Sequence, residues 1–261
     1  FMVLFAGLLV QFFAAIDGHA GLFRKETTTA VKIVSAPEVK RMLEEGGVTL
    51  VHTLSEIEFR IQHIPGSINI PTNIIAESGK MPKEKATRLV FYCNGPLCTY
   101  SRRATEKAME LGYTNVLWFE GGIPDWIKFN YPLTEDKEIL SIPVEKMGPK
   151  QAQELLDKHN PVIVDVSPKW WRLMEDLAPG YIPGTTLFIP MLELEERLNE
   201  LPKDRPLFLT DRTALQSINA AKYLKSKGYQ VIGTLKGGMD RWVAEGLPTE
   251  DKERAKFGSF R

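Results

Sequence analysis

Cysteine is almost missing from this chain. Its 261 residues include two, both in the stretch YCNGPLCTYSR at residues 92–102. Two thiols cannot build a disulfide scaffold, and four scattered histidines do not complete a zinc site with them. No metal or organic cofactor is expected. Net charge is missing too, with Lys+Arg at 33 and Asp+Glu at 33. That balance gives no sign of a nucleic-acid partner, which asks for a basic surface. Long apolar runs are absent after residue 23. Before it, FMVLFAGLLVQFFAAI at residues 1–16 has Gln11 as its one strongly polar residue. Sixteen residues are short for a membrane span, which takes about 20. Small residues at Gly18 and Ala20 suit a cleavage site. Residues 1–23 therefore read as a signal peptide or a membrane anchor. The expected location is exported, either periplasmic or anchored facing the periplasm. Arg24 and Lys25 just after the run suit a cytosol-facing anchor instead, and a buried apolar helix is the third reading.

What is present is ordinary globular material, 43% hydrophobic and 25% charged, arranged as a repeat. Ser101 and Ser217 stand 116 apart, as do Gly112 and Gly228, Gly121 and Gly237, Trp126 and Trp242, and Pro132 and Pro248. Upstream, Ile64-Pro65-Gly66 matches Ile182-Pro183-Gly184 at 118. These landmarks define two copies of one domain, residues 32–136 and 142–250. Residues 137–141 close the charged linker TEDKEILS, and residues 251–261 are a charged tail.

Each copy alternates β-branched or apolar runs with amphipathic segments. The first copy predicts helices over 36–45 and 101–111 and strands over 48–52, 88–92 and 115–119. Ser35-x-x-Glu38 is a capping pattern, and Gly112 sits where a left-handed cap belongs. The second copy repeats the order, with helices over 150–158 and 215–226 and strands over 162–166, 206–209 and 231–235. Strands alternating with helices give an α/β fold with mainly parallel sheets, whose ligands bind beyond the carboxyl ends of the strands.

Cys93 follows the strand RLVFY and precedes a helix, so it stands at that mouth. Gly95 and Pro96 favour a tight curl with amides turned inward. Those amides and the helix N-terminus stabilise an anion and lower a thiol pKa. The expected site has Cys93 and Cys98 as its reactive pair. The anion cradle is Asn94, Gly95, Pro96, Leu97, Thr99, Tyr100, Ser101 and Arg102, with the Cys93 sulfur ionised and open to solvent. Arg102 and Arg103 in the first helical turn hint at anion capture, against the plainer reading of a solvated face.

The motifs HIPGSINIP (63–71), FYC (91–93), GYTNV (112–116) and FEGGIPDW (119–126) resemble those of tandem-domain rhodaneses. So do YIPGTTLFIP (181–190) and GYQVIGTLKGGMDRW (228–242) in the second copy. The resemblance covers nearly everything after the leader. It implies a sulfurtransferase whose Cys93 carries a sulfane sulfur as a persulfide. A small sulfur-containing anion such as thiosulfate would be the donor, and a thiol or cyanide the acceptor. The loop amides would hold the departing anion. The alternatives are a non-catalytic accessory subunit of an extracytoplasmic or membrane redox assembly and a Cys93–Cys98 thiol–disulfide switch.

Several features depart from the family pattern. The second copy lacks a cysteine, and Thr210 or Asp211 takes the nucleophile's place. That copy reads as structural, or as a docking surface for a protein partner, with Trp170 and Trp171 in an added aromatic segment. His52 stands where an acidic residue is usual, either to tune the thiolate or as a packed strand histidine. The loop after Cys93 is long, yet its first arginine, Arg102, lies too far on for phosphatase chemistry. Cys98 either attacks a Cys93 persulfide and releases hydrosulfide, forms a resting disulfide with Cys93, or packs under the helix.

Overall fold

A computed structural model of the chain describes residues 31–172 and 180–250. The apolar leader, the tail at 251–261 and part of the added aromatic segment (173–179) lie outside the described residues.

The first copy runs β1 (Lys32–Ile33), α1 (Ala36–Glu45), β2 (Val48–His52), α2 (Glu56–Ile61), β3 (Gln62–His63) and β4 (Ile68–Asn69). It continues through β5 (Arg88–Tyr92), α3 (Tyr100–Glu110), β6 (Val116–Phe119), α4 (Gly122–Lys128), β7 (Thr134–Glu135) and α5 (Lys137–Ser141). The second runs β8 (Lys146–Met147), α6 (Pro149–His159), β9 (Val162–Asp165), α7 (Lys169–Arg172) and β10 (Thr185–Phe188). It ends with β11 (Leu207–Thr210), α8 (Gln216–Ser226), β12 (Val231–Leu235) and α9 (Gly238–Ala244).

Each copy builds one five-stranded sheet, ordered β1-β6-β5-β2-β4 and β8-β12-β11-β9-β10. Every pairing within the two sheets is parallel. The central strands are near-continuous apolar runs because helices cover both faces. Leu89 to Tyr92 of β5 are all buried, as are Leu207 to Thr210 of β11. Leu50, Val90, Tyr92, Phe119 and Trp126 share one core layer of the first copy, and Val51, Leu89, Phe91 and Ala104 the other.

The segment expected as a linker is folded at both ends. Thr134 and Glu135 pair antiparallel with His63 and Gln62 of the first copy. Asp136 caps α5 by accepting from the Ile139 amide at 2.9 Å. The Lys222 ammonium on α8 hydrogen-bonds the Leu140 carbonyl, and Lys225 donates to Pro143 O at 2.8 Å. The copies also share a core. Ile57 and Ile61 of α2 pack in one cluster with Leu209, Ala220, Tyr223 and Leu224. Arg60 meets both oxygens of Glu195, at 2.7 and 2.8 Å.

Candidate functional site

Cys93 emerges from the C-terminal end of β5, flanked by β2 and β6. Its carbonyl accepts from the Ile123 amide at 3.1 Å at the start of α4. That approach requires Gly122, at φ +54°, because a Cβ there would lie 2.0 Å from Cys93 O. Gly95, at φ +101°, then turns the chain, and the Cys98 amide donates back to Gly95 O at 2.9 Å. The curl predicted from Gly95 and Pro96 is therefore present.

The sulfur is held by polar contacts. The Ser101 hydroxyl lies 3.1 Å from Cys93 Sγ. Trp118 Nε1 donates to that same hydroxyl oxygen at 2.9 Å, which leaves the hydroxyl proton to donate to sulfur. The Cys98 carbonyl lies 3.2 Å away and is the contact that favours the protonated thiol. Burial is the strongest influence and pushes the Cys93 pKa up. Hydrogen bonds from the Cys98 side chain and from the side chain and backbone of Ser101 outweigh it, and the thiol lies below its ordinary value. Cys98 moves the other way, well above the usual thiol range, through its hydrogen bond to Cys93 and its own burial. Cys93 is thus the more acidic thiol of the pair, and both cysteines are free.

The expectation of a solvent-open sulfur is corrected. Cys93 is 0% exposed, packed with Leu54, Cys98 and Tyr100. The loop folds down over it and presents Leu97, 76% exposed, as its crest. Leu54, Cys98 and Tyr100 also line a small, open-sided cleft between the two copies, so open space begins one side chain from the sulfur. Asn94, Leu97 and Thr99 line it too, while Pro96 is exposed. Arg102 is placed elsewhere. It pairs with Glu106 one turn along α3 at 3.0 Å and lies over Trp118, on the exposed face of that helix.

The second copy resolves the choice between Thr210 and Asp211. Met239 donates to Asp211 O at 2.9 Å just as Ile123 donates to Cys93 O, and Gly238 repeats the close approach of Gly122. Asp211 therefore occupies the nucleophile's place. Its carboxylate accepts from the Gln216 amide at 3.0 Å and the Ser217 hydroxyl at 2.7 Å. The start of α8 in this copy already holds a carboxyl group, the protein's own, whose pKa burial pushes up. Across the cleft, Gln216 donates to the Tyr100 hydroxyl at 3.5 Å.

His52 is fully buried against Phe59 and Tyr92, with ring centroids 5.5 and 5.1 Å away. Burial, with a smaller push from His63, lowers its pKa to about 3, so it is neutral and serves packing. In the equivalent place Asp165 pairs with Arg172, whose guanidinium lies 4.4 Å from the Trp171 ring and 3.9 Å from the Tyr181 ring. Trp171 is buried, which takes it out of the expected docking surface. Among the described residues no group of three or more His, Cys, Asp or Glu could hold a metal ion.

Sequence reasoning missed Glu58. It is the third helical residue of α2, and its Oε2 accepts from the Ser55 amide and hydroxyl at 3.2 and 2.8 Å. The pattern Ser55-x-x-Glu58 announces that cap and nothing more. The fold carries the side chain into the cleft, where it is 3% exposed.

A duplicated α/β protein with one hydrogen-bonded thiol at a strand end is what this fold and site define. The chain belongs to the rhodanese-like domain family, whose model matches residues 35–129 and 148–245. It is 34% identical over 97 residues to a sulfurtransferase of Allochromatium vinosum, covering 37% of this chain and 85% of that one. It is 29% identical over 108 residues to the human thiosulfate:glutathione sulfurtransferase, 36% of this chain and 92% of that one. A solved thiosulfate sulfurtransferase of Pseudomonas aeruginosa aligns with a TM-score of 0.44 at 19% identity, over 88% of this chain and 46% of that one.

Proposed function

We propose that the protein is a sulfurtransferase that carries sulfane sulfur on Cys93. The observation that carries this reading is the thiol itself. In a rhodanese-family chain, Cys93 ends the central strand of its sheet with Ser101 and Cys98 hydrogen-bonding the sulfur, and its pKa is held below the ordinary value. The relatives named as sulfurtransferases support the class of reaction. A thiolate attacks the outer sulfur of a donor such as thiosulfate, the S–S bond breaks, and sulfite leaves with its electron pair. An acceptor thiol then takes the sulfur and Cys93 returns as thiolate. Because the sulfur is covered, residues 94–99 swing aside to admit the donor.

The test is intact-mass measurement after thiosulfate treatment. Wild type gains one sulfur atom and Cys93→Ser gains none. A reduced wild type, freed of thiol reagents before thiosulfate is added, that gains no sulfur refutes the reading and favours an accessory, non-catalytic role.

The adjacency of Cys98 favours a second reading, in which it acts on Cys93 as a resolving thiol. Its attack on the persulfide would release hydrosulfide and leave a Cys93–Cys98 disulfide. Hydrosulfide release that survives Cys98→Ala counts against this. Export or tethering through residues 1–23 belongs to the same proposal and rests on the apolar run. Among the described residues no helix is long and apolar enough to cross a membrane. Fractionation of the natural protein tests it.

A further inference from the structure

The cleft beside Cys93 holds a carboxyl group of which the fold uses one oxygen. Glu58 uses Oε2 to cap α2, but its other oxygen, Oε1, is buried without a hydrogen-bond partner. The Asn219 side chain of α8 approaches the carboxyl and holds its pKa down a little, but it makes no well-formed hydrogen bond to Oε1. An unsatisfied buried polar atom destabilises the fold, so its retention in a cleft points to work done there. The carboxyl is close enough to Cys93 and Tyr100 for its charge to act on both. The other charged and titratable groups of the cleft are Asp211, Arg212 and Cys98. Arg212 is drawn off toward Asp240, at 3.2 Å. A cleft with two buried carboxyl groups and one occupied arginine is suited to a neutral thiol.

From the free oxygen of Glu58, its place in the cleft and its proximity to Cys93, we infer that Glu58 is the general base that deprotonates a thiol acceptor. This deepens the sulfurtransferase reading and rests on it. The acceptor RS–H gives its proton to Glu58 Oε1. The sulfur pair so freed attacks the outer sulfur of Cys93–S–S⁻. The bond to Cys93 breaks, its electrons return to Sγ, and RSS⁻ leaves. One carboxylate and one persulfide become one carboxylic acid, one thiolate and the product persulfide, so charge and atoms balance. Burial raises Glu58 to about 7, with Asp211 adding to the rise and Ser55 opposing it, so near-neutral pH supplies both protonation states.

The experiment compares two acceptors on persulfide-loaded protein. Dithiothreitol must lose a proton to attack, whereas sulfite attacks as an anion. General-base catalysis contributes about 100-fold or more. In Glu58→Gln, which keeps a capping oxygen, the ratio of thiol-dependent to sulfite-dependent rate is expected to fall by that factor. The acid limb of the thiol reaction near pH 7 should vanish with it. A parallel fall of both rates, or an unchanged ratio, overturns the assignment. Asp211→Asn leaves Glu58 in place and removes the facing charge, so the acid limb should move to lower pH; a fixed limb also overturns it. Failure of wild type to load sulfur sinks the underlying reading instead, and is seen by mass before any acceptor is added.

Discussion

Ser101→Ala removes one hydroxyl from beneath the Cys93 sulfur, 3.1 Å away. A hydrogen bond to a charged group is worth about 1.5–3 kcal/mol. At about 1.4 kcal/mol per pKa unit, its loss raises the Cys93 pKa by about 1–2 units. A more basic thiolate is also a better nucleophile, with a Brønsted coefficient of about 0.4–0.5. Below both midpoints, scarcity outweighs the gain in reactivity, and the rate falls roughly 3- to 16-fold. Above both midpoints the variant is the faster protein. This crossing is the signature, read from alkylation or thiosulfate-loading rates across pH. Trp118 Nε1 loses its acceptor in the same variant, so about 1–3 kcal/mol of stability should go with it. Urea unfolding checks that the protein remains folded at the assay temperature. A folded variant whose midpoint matches wild type would show that Ser101 does not stabilise the thiolate.

Gly122→Ala places a Cβ 2.0 Å from Cys93 O at φ +54° and should disrupt the loop, whereas Gly66→Ala, at φ +81° with nothing within 4 Å, should cost about 1 kcal/mol; thermal melts separate them. Ile57→Ala at the shared core should cost about 2–5 kcal/mol and destabilise both copies together, seen as one urea transition at lower midpoint. Glu58 makes stability pH-dependent. Between its unfolded value of 4.5 and about 7 the native chain holds a proton that the unfolded chain has lost. Stability falls as pH rises through that window, by on the order of 3 kcal/mol. Glu58→Gln should remove this loss. His52 acts in the opposite sense: its contribution is present above pH 6.5 and disappears as pH falls toward about 3, where the native ring finally charges. Urea midpoints of wild type and Glu58→Gln across pH 4–8 check the difference.

Local pattern carried the elements. Strands β2, β5 and β12 fall where their apolar runs predict, because each run is bounded by turn residues. Helix α3 ends where Gly112 turns left-handed, at φ +87°. What the residues could not reveal is tertiary. The 116-residue landmarks pair Ser101 with Ser217, yet Cys93 pairs with Asp211 at 118, because the second loop is two residues shorter. Arg102 lies near the thiol in sequence and faces away on the helix. Glu58 lies 35 positions from Cys93 and reaches its cleft only because α2 packs against α8.

The folded bridge between the copies limits how this protein can breathe. One end of the bridge is a rung of the first half and the other is fastened to α8 by two lysines, so a hinge there would have to unpick both. The buried sulfur is covered instead by the six-residue segment 94–99, whose Cys98 packs against it. The second half, its own loop filled by the Asp211 carboxyl group, faces that segment across the cleft.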